Sequence, residues 1–223
     1  MGKESEPAQM SESFCIGAVL AVAGGFFDAY TYLCRGGVFA NAQTGNMVLL
    51  GVNLANGKWG DALRYVFPIL AFALGVAAAE WVKLRFKERQ ARFHWRQIVV
   101  LLEIVCVLLV GFLPQRMNFF ANALISFLCA LQVESFRKVR GSAFATTMCT
   151  GNLRSATEQW VRWRTEKDEA ARRKAGRYGA IIAYFIAGAA AGVGCSGLWG
   201  ERAVLACCGL LGLAFAFMFW ETV

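Results

Sequence analysis

One histidine, three prolines and a charged fraction of only 17% in 223 residues leave little of what soluble enzymes and metal centres are built from. His94 stands alone among arginines, and the eight cysteines show no CxxC spacing, so a Cys/His metal site has no framework. Walker loop, HExxH pair and Ser/His/Asp set are all absent, so neither a catalytic residue nor a cofactor is expected. The basic stretches lack the aromatic spacing of a recognition module, which argues against nucleic acid as a partner. Acids are scarcer than bases, 15 against 23, for a formal charge of +8. At the N-terminus, Glu6 occupies the place where a myristoylation signal needs Ser or Thr.

What is abundant is apolar: 57% of residues are hydrophobic and the mean hydropathy is +0.46. A soluble domain of this length would struggle to bury that surface, so the bilayer is the expected solvent. A transmembrane helix needs about 20 mainly apolar residues. Six stretches qualify: Ser13 to Cys34, Val66 to Val82, Ile98 to Leu113, Phe119 to Phe136, Gly179 to Leu198 and Ala203 to Trp220. The first is too long for a signal peptide, contains Asp28 and is read as a retained helix. Pro68 and Pro114 fall at helix edges on this division. The cysteines read as small apolar fillers.

The chain also repeats itself. A shift of 106 residues lays Thr44-Gly45-Asn46 on Thr150-Gly151-Asn152 and Asp28 on Glu134. A shift of 113 lays Arg64-Tyr65 on Arg177-Tyr178, Phe72 on Phe185 and Gly75 on Gly188. The seven-residue difference falls in the charged stretch after Asn152, where an insertion is tolerated. Residues 1–12 are then an N-terminal tail, 13–115 a first repeat and 116–223 a second. The small-residue runs Ala71 to Ala79 and Ala187 to Gly194 suit close helix packing.

Charge orients the spans. Lys83, Arg85, Lys87, Arg89, Arg92 and Arg96 lie between the second and third, and Arg162, Arg164, Lys167, Arg172, Arg173, Lys174 and Arg177 precede the fifth. Both stretches belong in the cytoplasm by the positive-inside rule. Arg137, Lys138 and Arg140 then lie inside too, so the second TGN segment begins and ends in the cytoplasm. It must dip in and return, while the first dips in from outside. Three crossings per half invert the second copy relative to the first. The expected fold is therefore all-α integral membrane, six transmembrane helices plus two re-entrant half-helix TGN segments in an inverted 3+3 repeat. Both termini are cytoplasmic, and the basic loops face anionic lipid.

Non-helical backbone at membrane depth survives only where protein or a water-filled cavity covers it, so two TGN segments imply a polar centre. Threonine and asparagine suit a helix cap, and a half-helix starting there aims its positive end inward, toward an anion or the oxygen of a polar solute. The expected substrate site comprises Asn41, Gln43, Thr44, Gly45, Asn46, Thr147, Thr150, Gly151 and Asn152. Asp28 and Glu134 cost roughly 2.5 to 3.5 kcal/mol each if central in a bilayer. Their functional reading is gating or proton coupling. The structural one is snorkelling or pairing, Asp28 with Arg35 and Glu134 with Arg137 or Lys138. Glu103 has no counterpart in the other half. Arg64 and Arg177, each beside a tyrosine, read as interfacial anchors.

The strings GGFFDAYTYL (Gly24 to Leu33) and GGVFANAQTGNMVLLG (Gly36 to Gly51) resemble the YoaK-type family of bacterial membrane proteins, a domain of unknown function. The resemblance implies a multi-pass protein of the bacterial inner membrane with about six helices, and it supplies no substrate and no site residue. The residues themselves point to a transporter or channel for a small polar or anionic solute, with a non-transporting membrane scaffold as the alternative. A homo-oligomer is compatible with either.

Overall fold

Long proline-poor runs of Leu, Ala, Val and Phe favour helices in any apolar setting, and helices dominate the computed structural model, which describes residues 14–86, 95–136, 138–139, 142–143 and 149–220. Among the described residues there are eight α-helices. These are α1 (Phe14–Cys34), α2 (Gln43–Ala55), α3 (Trp59–Phe86), α4 (Trp95–Gly111), α5 (Asn118–Ser135), α6 (Cys149–Glu166), α7 (Glu169–Trp199) and α8 (Ala206–Trp220). Short 3-10 turns at Gln115–Met117 and Gly200–Leu205 join α4 to α5 and α7 to α8. A minimal antiparallel ladder pairs β1 (Lys138–Val139) with β2 (Ser142–Ala143). The N-terminal tail, His94, the side chain of Lys138, and Lys87, Arg89, Arg92, Arg137, Arg140 and Thr147 lie outside what is described.

Four stretches are long and apolar enough to cross a bilayer: Phe14–Cys34, Trp59–Arg85, Gln115–Ser135 and Glu169–Met218. Helices α4 and α8, with 17 and 15 residues, are shorter than that length. Leu84 is 72% and Leu198 79% exposed, and Leu70, Leu74, Leu101, Leu109 and Ile186 also face outward. So many outward leucines would form an aggregating surface in water, whereas lipid is their natural neighbour. The chain is a membrane-type, multi-pass helical protein.

Three expectations need correcting at the helix ends. Helix α3 begins at Trp59 rather than Val66, because an amphipathic turn carrying the Asp61–Arg64 ion pair (2.7 Å) extends it. Pro68 is therefore inside the helix, not at its edge. Helix α7 starts at Glu169, ten residues before the apolar run, since its Ala, Arg and Lys residues favour helix as well as they favour water. Asp168 caps it, accepting from the N–H groups of Ala170 (2.8 Å) and Ala171 (3.2 Å). The bonds from Ala171 and Ala170 hold that carboxyl below the ordinary aspartate range.

Packing is closest where glycines meet backbone. Helix α7 lies along α1 and α3 along α5. A Cβ on Gly188 would run into the carbonyl oxygen of Val22, one on Gly75 into that of Phe127, and one on Gly25 into that of Phe185. Small residues let helices approach in this way, exchanging side-chain area for close dispersion contact. The string Gly192 to Gly197 has the spacing of a dinucleotide-binding turn, yet it lies within α7, and a Cβ on Gly192 would come within 2.9 Å of the Phe26 carbonyl oxygen of α1. Helix α2 lies against α3 and α6 against α7, while α4 and α8 pack on each other.

Candidate functional site

After α1, Gly36 and Gly37 take positive φ (91° and 76°), a region that L side chains rarely adopt, and turn the chain back along the helix. Asn41 thereby reaches the middle of α1. Its N–H donates to Asp28 Oδ1 at 2.6 Å and its Nδ2 to the Gly24 carbonyl at 3.2 Å. The N–H groups of Ala42 and Ala40 are also directed at the Asp28 carboxyl, which is 6% exposed. Helix α2 starts beside it. Asp28 thus occupies the positive end of α2 and does not pair with Arg35.

Asparagine 46 closes the same loop. Its Oδ1 accepts from the Phe39 N–H (2.9 Å), and its Nδ2 donates to the Phe39 carbonyl (2.7 Å) and to Gln43 Oε1 (2.9 Å). The Phe39 ring stacks on Tyr32 at 4.9 Å and covers Gly45 so closely that a Cβ there would meet it at 2.9 Å. The helix begins at Gln43 with Ala42 at the cap and no side-chain cap bond, so Thr44 is not the N-cap that its sequence position suggests. Replacing Asn46 with leucine would leave the Phe39 N–H and carbonyl unpaired. We expect Asn46→Leu to lower stability by about 2 kcal/mol or more, read as detergent-solubilised thermal unfolding. A change near zero would show that the loop holds itself.

Both TGN segments reach one cavity of about 670 Å³. Thr44, Gln43 and Asn41 come to it from the α2 side, and Thr150, Gly151 and Cys149 from the first turn of α6. Asp28 lies on its α1 wall, and the remaining wall is largely aromatic and aliphatic, with Phe39, Phe72 and Phe185 prominent. Thr44 with Thr150, and Phe72 with Phe185, are the residues that the two sequence shifts superpose. Gly45, Asn46 and Asn152 are not on the wall; Asn46 and Asn152 are buried behind it, 0% and 1% exposed. Glu134 lies elsewhere, at the end of α5, with Lys83 Nζ at 3.8 Å.

Sequence reasoning missed the most heavily bonded residue. Arg35 is 1% exposed and donates from Nε to Tyr30 Oη (2.7 Å), from Nη1 to the Leu113 carbonyl (2.9 Å) and Asn118 Oδ1 (3.1 Å), and from Nη2 to the Val110 carbonyl (2.8 Å). Glu201 Oε2 is 3.8 Å away, and Tyr30 Oη donates to the Glu201 carbonyl at 2.8 Å. This fork joins the C-terminal ends of α1 and α4 to the turn before α8. Only the interfacial position of an arginine after an apolar run hinted at it.

Taken together, these features define a class: a membrane-type helical protein whose cavity is bounded by two matching polar helix starts. The chain belongs to the family described as "Protein of unknown function (DUF1275)", whose model matches residues 16–217; this is the YoaK-type family that GGFFDAYTYL resembles. No curated protein and no solved structure matches it significantly.

Proposed function

We propose that this protein is a transporter or channel of the bacterial inner membrane, carrying a small polar or anionic solute through the cavity between the first turns of α2 and α6. It crosses the bilayer six times, with α1, α3, α4, α5, α7 and α8 as spans, α2 and α6 as re-entrant half-helices, and both termini in the cytoplasm. Transport, not covalent chemistry, is its task.

The observation that carries this reading is that superposable residues from the two halves, Thr44 with Thr150 and Phe72 with Phe185, line one cavity. The packing agrees with an inverted repeat. If α1 to α4 correspond to α5 to α8, then α1 on α7 has α5 on α3 as its mirror, and α2 on α3 has α6 on α7. The Arg35 fork puts the C-terminal ends of α1 and α4 together, and Arg96 Nε bonding the Ser135 carbonyl (2.8 Å) joins the start of α4 to the end of α5. Consecutive spans then alternate in direction. A scaffold whose TGN segments merely packed together would leave no such space.

Uptake into proteoliposomes across a panel of anions and neutral polar metabolites tests it. The variants are Thr44→Val and Thr150→Val combined, since both residues border the cavity and neither hydroxyl is hydrogen-bonded among the described residues. Loss of two hydrogen bonds to the solute, each about 1 kcal/mol, predicts uptake reduced about tenfold or more. Equal uptake by wild type and variant rejects the site. No uptake of any solute by wild type favours the scaffold.

A further inference from the structure

Helix α5 carries polar residues down the whole of its buried face. Asn122, Ser126, Cys129, Gln132 and Ser135 recur at spacings of three and four, and none is more than 4% exposed. From Asn122 to Ser135 the helix rises about 20 Å, two thirds of the hydrocarbon thickness. The side-chain oxygens of Asn122, Ser126 and Ser135, and both polar atoms of Gln132, have no hydrogen-bond partner among the described residues. Each such group is costly in an apolar interior. A continuous row of them, aligned across the domain, is not what packing alone selects.

Beside the middle of this row sits the acid that the duplication could not place. Glu103 of α4 is 1% exposed and neither carboxyl oxygen has a partner among the described residues. Helices α4 and α5 run antiparallel, tied at one end by Arg96 to Ser135 and at the other by Arg35, which holds both Val110 and Asn118. Glu103 is therefore level with Cys129, about halfway. The titratable groups turned toward it are Cys129 from α5, Cys207 from α8 and Cys106 on its own helix, and among the described residues no basic side chain faces it. Cys129 in turn meets Asn41, with Asp28 behind it. The row thus touches the polar corner of the cavity.

We propose that the buried face of α5, with Glu103 at its midpoint, is a proton pathway through the domain and that Glu103 is where the proton is held. It depends on the transport reading above, for which it supplies the coupling ion, and it moves that role from Glu134 to an acid with no counterpart in the other half. A proton arriving along the row is taken by a Glu103 carboxylate oxygen, and the same oxygen releases it onward; no other bond is made or broken. Thiol and hydroxyl groups at positions 129 and 126 both donate and accept, as a relay requires.

Two measurements on the full chain in liposomes test this without any solute. Dicyclohexylcarbodiimide reacts with an un-ionised carboxyl by adding its O–H across a C=N bond, and the adduct rearranges to a stable N-acylurea. Peptide mapping of wild type should find the label on Glu103 from mildly acidic to mildly alkaline pH, and E103Q should lose it while E134Q keeps it. Absence of label from Glu103 in wild type overturns the assignment, and needs no variant to fold. In the second measurement, hydrogen–deuterium exchange of the Glu103 carboxyl is followed through its infrared C=O band. Combined Ser126→Ala and Cys129→Val should slow it about a hundredfold, the lower range of what a positioned proton carrier contributes. Unchanged exchange refutes the pathway. Because neither readout involves uptake, failed transport by the threonine pair and failure here are separate results.

Discussion

Replacing Arg35 with alanine is expected to cost about 3 to 5 kcal/mol, enough to unfold much of the population in detergent. The guanidinium is fully enclosed and spends its donors on Tyr30, Asn118 and the carbonyls of Val110 and Leu113. Those carbonyls terminate α4, where a cation is favoured by the helix dipole as well as by the bonds themselves. Removing it strands the Leu113 carbonyl in a space that water reaches poorly, and leaves the Val110 carbonyl with only the Leu113 N–H and the Tyr30 hydroxyl with only its bond to the Glu201 carbonyl. Arg35→Lys should recover less than half of the loss, since an ammonium cannot span a fork aimed at both the tyrosine and the α4 end. Thermal unfolding in a single detergent measures both. A loss below about 1 kcal/mol in the alanine variant would mean that the fork is redundant with the apolar packing around it.

The second large effect is expected at Gly188. A methyl group there has no space, because the carbonyl of Val22 in α1 already occupies it. Overpacking costs about 1 to 3 kcal/mol where side chains can adjust, and here the obstacle is backbone. Gly188→Ala should reach the top of that range and Gly188→Leu should exceed it, by pushing α7 off α1. Gly75→Leu should do the same to α3 on α5, where a Cβ would meet the Phe127 carbonyl. Gly194→Ala, in the same helix with nothing within 4 Å of its Cβ, is the control and should be neutral or slightly stabilising. If Gly188 and Gly194 behave alike, the close approach of α1 and α7 is not maintained in the membrane.

How much of this could be read in advance follows from the range of each interaction. The apolar runs and the paired TGN strings are local or strictly repeated signals, and they pointed to the long apolar helices and to the cavity lined from the first turns of α2 and α6. The match of Gly75 with Gly188 anticipated two backbone contacts. Apart from nearby Tyr30, in contrast, the residues whose oxygens hold Arg35 (Val110, Leu113 and Asn118) lie 75 to 83 residues away along the chain, and nothing in its own neighbourhood names them. Asp28 was read as awaiting a cation or a proton, whereas backbone N–H groups of a returning loop surround it, and loop paths leave no trace in composition. Asn46 looked like a ligand for the same reason: a buried asparagine bonded to its own loop and one bonded to a solute are the same letter. Helix α7 ran ten residues past its apolar run because hydropathy reports where lipid stops, not where hydrogen bonding does.

One consequence of the glycine contacts concerns motion. Each of the two tightest helix pairs, α1 with α7 and α3 with α5, takes one member from each half of the chain. The halves are clasped like the fingers of two hands, and no cut between residues 115 and 116 separates them without tearing both pairs. Rocking of the first half of the chain against the second would therefore have to part both pairs. Helices α2 and α6 stand outside both pairs, each leaning on a long helix of its own half.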